Sequence, residues 1–122
     1  MLLDFWTLWC GPCIHQSLPS LTKLYTEHAQ DRDRFEILSI CVTAAEKITT
    51  IEEFDRRAAP LVEEVWSGKP LPFPVLIDGE GKTGAVYGII SYPTVLLIDP
   101  DGHLVKFGDE EFLADKLGEK QP

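Results

Sequence analysis

Leu2-Leu3-Asp4-Phe5-Trp6-Thr7-Leu8-Trp9-Cys10-Gly11-Pro12-Cys13-Ile14 is the stretch whose reading decides the fold. Leu2 to Leu8 is almost continuously apolar, the pattern of a parallel strand covered on both faces, with Asp4 as its one exception. After the Trp9-Cys10-Gly11-Pro12 turn, Ile14, Leu18, Leu21 and Tyr25 recur at spacings of three and four. That spacing predicts an amphipathic helix to about Ala29. Pro12 suits the first turn of such a helix, where a missing N–H costs nothing. Pro19 falls inside it and predicts a kink.

The two cysteines therefore stand at a helix mouth. Unpaired N–H groups and the helix dipole favour a thiolate there, which makes Cys10 the expected acidic thiol and places Cys13 one turn in, behind it. Attack by Cys10 on a substrate disulfide would give a mixed disulfide that Cys13 resolves. Trp9, Gly11 and Pro12 frame the attacking sulfur, leave it accessible, and are the expected substrate-facing residues. Asp4 is the expected third catalytic group, since a carboxylate in an apolar strand is costly unless it is paired or its pKa is raised. A raised pKa suits a group that takes the proton from Cys13, directly or through water. The alternative is an edge-strand aspartate facing solvent.

Working outward, Asp31-Arg32-Asp33-Arg34 is a polar connection and Phe35 to Val42 supplies a second β-branched, apolar strand. Strand, helix and strand in this order make a right-handed parallel crossover. Phe54, Ala58, Leu61, Val62 and Val65 line one face of a further helix, with Glu52/Arg56 and Glu53/Arg57 as i,i+4 pairs on its outer side. Pro60 predicts a bend in that helix. Lys69-Pro70-Leu71-Pro72-Phe73-Pro74 is too proline-rich for regular structure and reads as a stiff connector. Val75 to Asp78 is a short strand, Gly81 to Tyr87 one or two helical turns, and Thr94 to Asp99 a strong strand. Pro100-Asp101-Gly102 is turn chemistry, so His103 to Phe107 is expected to return as an antiparallel hairpin strand. Asp109 then caps a last helix through Leu117.

Composition narrows the function classes. A chain of 122 residues with 44% hydrophobic content fits one domain, residues 1–122. Its 20 acidic and 11 basic residues give a net charge of −9 without any Lys/Arg run, which argues against nucleic-acid binding. No apolar run approaches the roughly 18 residues that cross a bilayer, and no signal-peptide pattern is present. Because Leu2 already opens a buried strand, an earlier element or a leader before it stays open. Three cysteines cannot complete a disulfide framework. Cys41, mid-strand, reads as a small buried hydrophobe.

At this point the sequence resembles a known family. Asp4 to Cys13 is similar to the thioredoxin signature, including the acid six residues before the first cysteine, and Ser91-Tyr92-Pro93-Thr94 before a strand resembles the family's cis-proline loop. The run from Gly88 to Gly102 and the extra segment from about Ala44 to Asp78 resemble the TlpA-like, extracytoplasmic branch. The resemblance implies an α/β thioredoxin fold: a central mixed β-sheet flanked by helices, without the family's usual first strand and helix and with an extra central segment. It further implies that Pro93 faces the cysteine pair and that Tyr92 offers backbone hydrogen bonds to an extended substrate. A monomeric disulfide reductant follows, acting on client proteins and recharged by an upstream thiol reductant, with no cofactor and no metal; the Gly-Pro pair between the cysteines matches the reducing members. Two features depart from the pattern. Pro19 follows Cys13 by six residues where the family has five, and Gln16 stands where many TlpA-like members carry Glu.

Other readings of the same residues remain. Cys10 and Cys13 could form an inert structural disulfide, the Tyr92-Pro93 bond could be an ordinary trans turn, or the chain could be a redox-inactive thioredoxin-like module whose Tyr92-Pro93 groove binds extended peptide. A zinc site falls short because two cysteines lack a second ligand pair. Haem attachment requires His directly after Cys13, where Ile14 stands. His15, His28 and His103 read as surface or helix-flank residues, and a peroxiredoxin-type route lacks a separate cysteine in a Pro-Thr-Cys setting.

Overall fold

Five strands order as β3-β2-β1-β4-β5 in one mixed sheet of the computed structural model, which describes residues 1–105. They are β1 (Leu2–Trp6), β2 (Ile37–Val42), β3 (Val75–Asp78), β4 (Thr94–Ile98) and β5 (Leu104–Val105), and the helices are α1 (Leu18–Glu27), α2 (Ile51–Glu64) and α3 (Lys82–Val86). β1 pairs in parallel with β2, and β2 with β3; β4 runs antiparallel to both β1 and β5. The apolar run that opens the sequence is thus the central strand. All five of its residues are buried.

Alternation along β1 divides the core into two layers. Leu2 and Trp6 face a layer that contains Cys10, Cys13, Leu18, Leu21, Ile37, Phe54 and Ala58, so α1 and α2 both lie on that side. Leu3 and Phe5 face the other side with Ile40, against Ile89, Tyr92 and Leu96. The extra segment is tied down at both ends of its length. Thr50 caps α2 by accepting the Glu53 N–H at 3.3 Å, and the proline-rich connector buries Phe73 edge-on to Tyr25 at 5.5 Å.

The first helix differs from the expected kinked cylinder. Cys13–Ser17 forms a π-helical turn in which the Leu18 N–H reaches back five residues to the Cys13 carbonyl, and α1 begins only after it, with Pro19 in its first turn. A π turn takes up one residue more than an α turn. It therefore absorbs the extra position between Cys13 and Pro19, and the proline falls where its missing N–H breaks no α-helical bond. Pro60, by contrast, lies inside a helix that continues through it from Ile51 to Glu64, where its missing N–H leaves the Arg56 carbonyl without its i+4 donor. On the outer side of α2 the pair formed is Glu53–Arg56 at 4.0 Å, spaced i,i+3, where i,i+4 partners were expected. Both side chains are exposed enough for either rotamer to be nearly isoenergetic.

The Pro100-Asp101-Gly102 turn closes as expected: Asp99 Oδ1 accepts the backbone N–H groups of Asp101 and His103, and Leu104–Val105 returns beside β4. The strand's expected continuation to Phe107 and the helix from Asp109 to Leu117 lie outside the described residues.

Candidate active site

β1 ends at Trp6 and delivers the chain through Thr7-Leu8-Trp9 to the cysteine turn, closed by the Cys10 N–H on the Thr7 carbonyl at 3.2 Å. The Ile14 N–H bonds the Cys10 carbonyl, also at 3.2 Å, so helical bonding starts at the first cysteine. Cys10 and Cys13 are joined in a disulfide, their Cα atoms 5.3 Å apart. The Cys13 backbone N–H points at Cys10 Sγ, 3.2 Å away. This is the helix-mouth arrangement expected for stabilising charge on the outer sulfur.

Access to that sulfur is narrower than the sequence suggests. Cys10 is only 5% exposed and Cys13 is fully buried, both within the apolar layer that also contains Trp6 and Ile14. The exposed surface here belongs to the neighbours: Trp9 at 64%, with Gly11 and Pro12 beside it.

Topology brings the second motif to the same end of the sheet. β4 is antiparallel to β1 with Thr94 opposite Phe5, so the loop entering β4 opens where β1 releases the cysteine turn. The Tyr92–Pro93 peptide is cis, and the Tyr92 ring meets Trp9 edge-to-face at 5.9 Å. Thr94 Oγ1 donates to the Ser91 carbonyl at 2.6 Å and closes the loop on itself. Trp9 and Tyr92 thus join the two motifs.

Asp4 is fully buried, which rules out the solvent-facing alternative. It lies between Leu2 and Trp6 on the face of the sheet that carries the disulfide, opposite Ser39 of β2 and Val95 of β4. Next to it the Trp6 indole donates to Ser39 Oγ at 2.6 Å. Cys41 is a buried free thiol, and burial pushes its pKa up strongly, helped by the negative charges of Glu46 and Asp4; a backbone hydrogen bond from Leu8 offsets only part of this. Burial thus favours its protonated form.

One contact was not foreseen. Trp66, just past α2, donates its indole N–H to the Ile14 carbonyl at 3.0 Å and packs edge-on to Trp6 at 6.3 Å. The sequence carries a signal for it only in retrospect: Pro19, five residues after Ile14, has no N–H to offer. Trp66 also walls a groove of about 450 Å³ with Trp6, Phe54, Ala58 and Leu71.

Comparison with known proteins agrees with this geometry. "Thioredoxin-like protein YneN" of Bacillus subtilis is 36% identical over 102 residues, covering 84% of this chain and 51% of that protein. "Sporulation thiol-disulfide oxidoreductase A" of the same organism is 27% identical over 97% of this chain and 64% of its own length. The crystal structure of StoA from Bacillus subtilis superposes with a TM-score of 0.62 at 26% identity, covering 86% of this chain and 69% of that one, and shares the thioredoxin fold. This chain spans between half and two thirds of the length of these curated relatives. A family model described as "AhpC/TSA family" matches residues 1–107. By that match, and by the central strand, cysteine turn and cis-proline loop that accompany it, the chain belongs to the AhpC/TSA family of thioredoxin-like proteins.

Proposed function

We propose that this chain is a thiol–disulfide oxidoreductase module that reduces disulfides in client proteins by cycling Cys10 and Cys13. The observation that carries the reading is the Cys13 N–H on Cys10 Sγ at a helix mouth rimmed by exposed Trp9, Gly11 and Pro12. In the reduced state the Cys10 thiolate attacks one sulfur of a client disulfide; the client S–S bond breaks, and its other sulfur leaves as a thiolate. Cys13 then loses its proton to Asp4 and attacks the Cys10 sulfur. The Cys10–client bond breaks, the second client thiolate departs, and the Cys10–Cys13 disulfide forms. Two electrons have passed to the client, and an upstream thiol reductant returns the centre to the dithiol.

Trp9, Gly11, Pro12, Tyr92 and Pro93 form the client-facing rim in this proposal, with the Tyr92 backbone aligning an extended segment. Its setting is extracytoplasmic, by resemblance to the TlpA-like branch. Among the described residues no helix is long and apolar enough to cross a membrane.

Insulin reduction driven by dithiothreitol tests the proposal. The wild-type chain is expected to shorten the lag before turbidity, and Cys10→Ser to return it to the rate of dithiothreitol alone. Asp4→Ala is expected to fold and to slow decay of the mixed disulfide by about a hundredfold, the usual reach of a positioned base. A wild-type chain no faster than Cys10→Ser would make this a peptide-binding module instead.

A further inference from the structure

The Trp66 indole bonds a carbonyl that the helix itself cannot serve. In an α-helix the Ile14 carbonyl would accept from Leu18, but the π turn commits the Leu18 N–H to the Cys13 carbonyl. The next candidate donor, at i+5, is Pro19, which has no N–H. Ile14 is buried at 5% exposure, so its carbonyl would be left in an apolar layer without a helical partner, a costly state. The donor arrives from 52 residues away, at 3.0 Å, out of the extra segment after α2. Trp66 is itself braced by its edge-on contact with Trp6 of the central strand.

We propose that Trp66 is a positioning residue for the redox centre: its N–H holds the π turn that begins at Cys13 and so favours the disulfide form over the dithiol. The proposal rests on the redox reading above. Ile14 follows Cys13 directly, and the turn the indole fixes carries the Cys13 backbone, including the N–H aimed at Cys10 Sγ. Formation of the Cys10–Cys13 bond requires both sulfurs in one geometry, whereas the dithiol tolerates several. A contact that pins the turn therefore weights the two states unequally. It does so from outside the sulfur pair and without touching a client.

The test is a glutathione titration of Trp66→Phe, which keeps an aromatic ring against Trp6 but removes the donor. The equilibrium is expected to move about fivefold toward the dithiol, roughly 20 mV at about 30 mV per tenfold. Pro19→Ala restores a backbone N–H that can serve the Ile14 carbonyl, so adding Trp66→Phe to that variant is expected to leave the equilibrium within about twofold. This pair of variants also carries the test should Trp66→Phe alone fail to fold. An unshifted equilibrium in folded Trp66→Phe, or an equal fivefold shift in the Pro19→Ala background, overturns the proposal. A purely structural role would lower the denaturation midpoints of oxidised and reduced forms together and leave the titration where it was. If the wild-type chain shows no reversible exchange with glutathione, the redox reading fails first, and that outcome is distinct.

Discussion

Cys41 shares an apolar layer with Cys10 and Cys13, yet its surroundings hold its proton in place. Cys10 receives a backbone N–H at a helix mouth; Cys41 sits mid-strand, with burial first and the Glu46 and Asp4 charges second, all raising its pKa. A thiol whose pKa is raised in the folded state binds a proton that the unfolded chain gives up, so its contribution to stability is complete below the unfolded value of about 8.5 and is lost as pH rises beyond it. Between about pH 8.5 and 10 the slope should approach 1.4 kcal/mol per pH unit from this one group. Urea denaturation across that window, compared with Cys41→Ala, is expected to show a fall in stability that the variant lacks. Equal slopes in the two proteins would mean that Cys41 is not held neutral. The window stops at 10 because Tyr25, also raised chiefly by burial, begins to contribute above its ordinary value.

At the scale of elements, α2 is held to the central strand by few but large contacts. Phe54 is buried and meets the Trp6 ring edge-on at 6.1 Å, and Ala58 lies one turn on in the same layer. Phe54→Ala is expected to cost about 3 kcal/mol through lost burial and the cavity left behind, read as a lower urea midpoint at unchanged slope. A loss below about 1 kcal/mol would show that α2 does not depend on this anchor. What the sequence made legible divides along the same line. The central strand and the cysteine turn were readable because their signals are local, an apolar run and a tetrapeptide, whereas the Tyr92-Pro93 loop was legible only through its resemblance to a family motif. The π turn was not legible, since it depends on how Pro19, Leu18 and a distant indole share two carbonyls, and that sharing exists only once α2 has packed. The depth of Cys10 escaped for a related reason, because its exposure is set by the packing of the whole apolar layer, which draws residues from distant parts of the chain.

For the whole molecule, the sheet order explains why one end carries the chemistry. With β1 central, parallel to β2 and antiparallel to β4, the exit of β1 and the entry to β4 coincide, and the cysteine turn meets the cis-proline loop there. The fully buried Asp4 lies on the disulfide side of that same central strand. The account depends on this pair of sulfurs exchanging between bonded and free forms while Cys41 stays out of the exchange. The most direct measurement is alkylation followed by mass spectrometry across a series of glutathione buffers. It is expected to give a single two-electron transition in which two labels appear together, on Cys10 and Cys13, with Cys41 labelled only after unfolding. A Cys10–Cys13 bond that persists through the most reducing buffers, or one that never forms in the most oxidising, would contradict it.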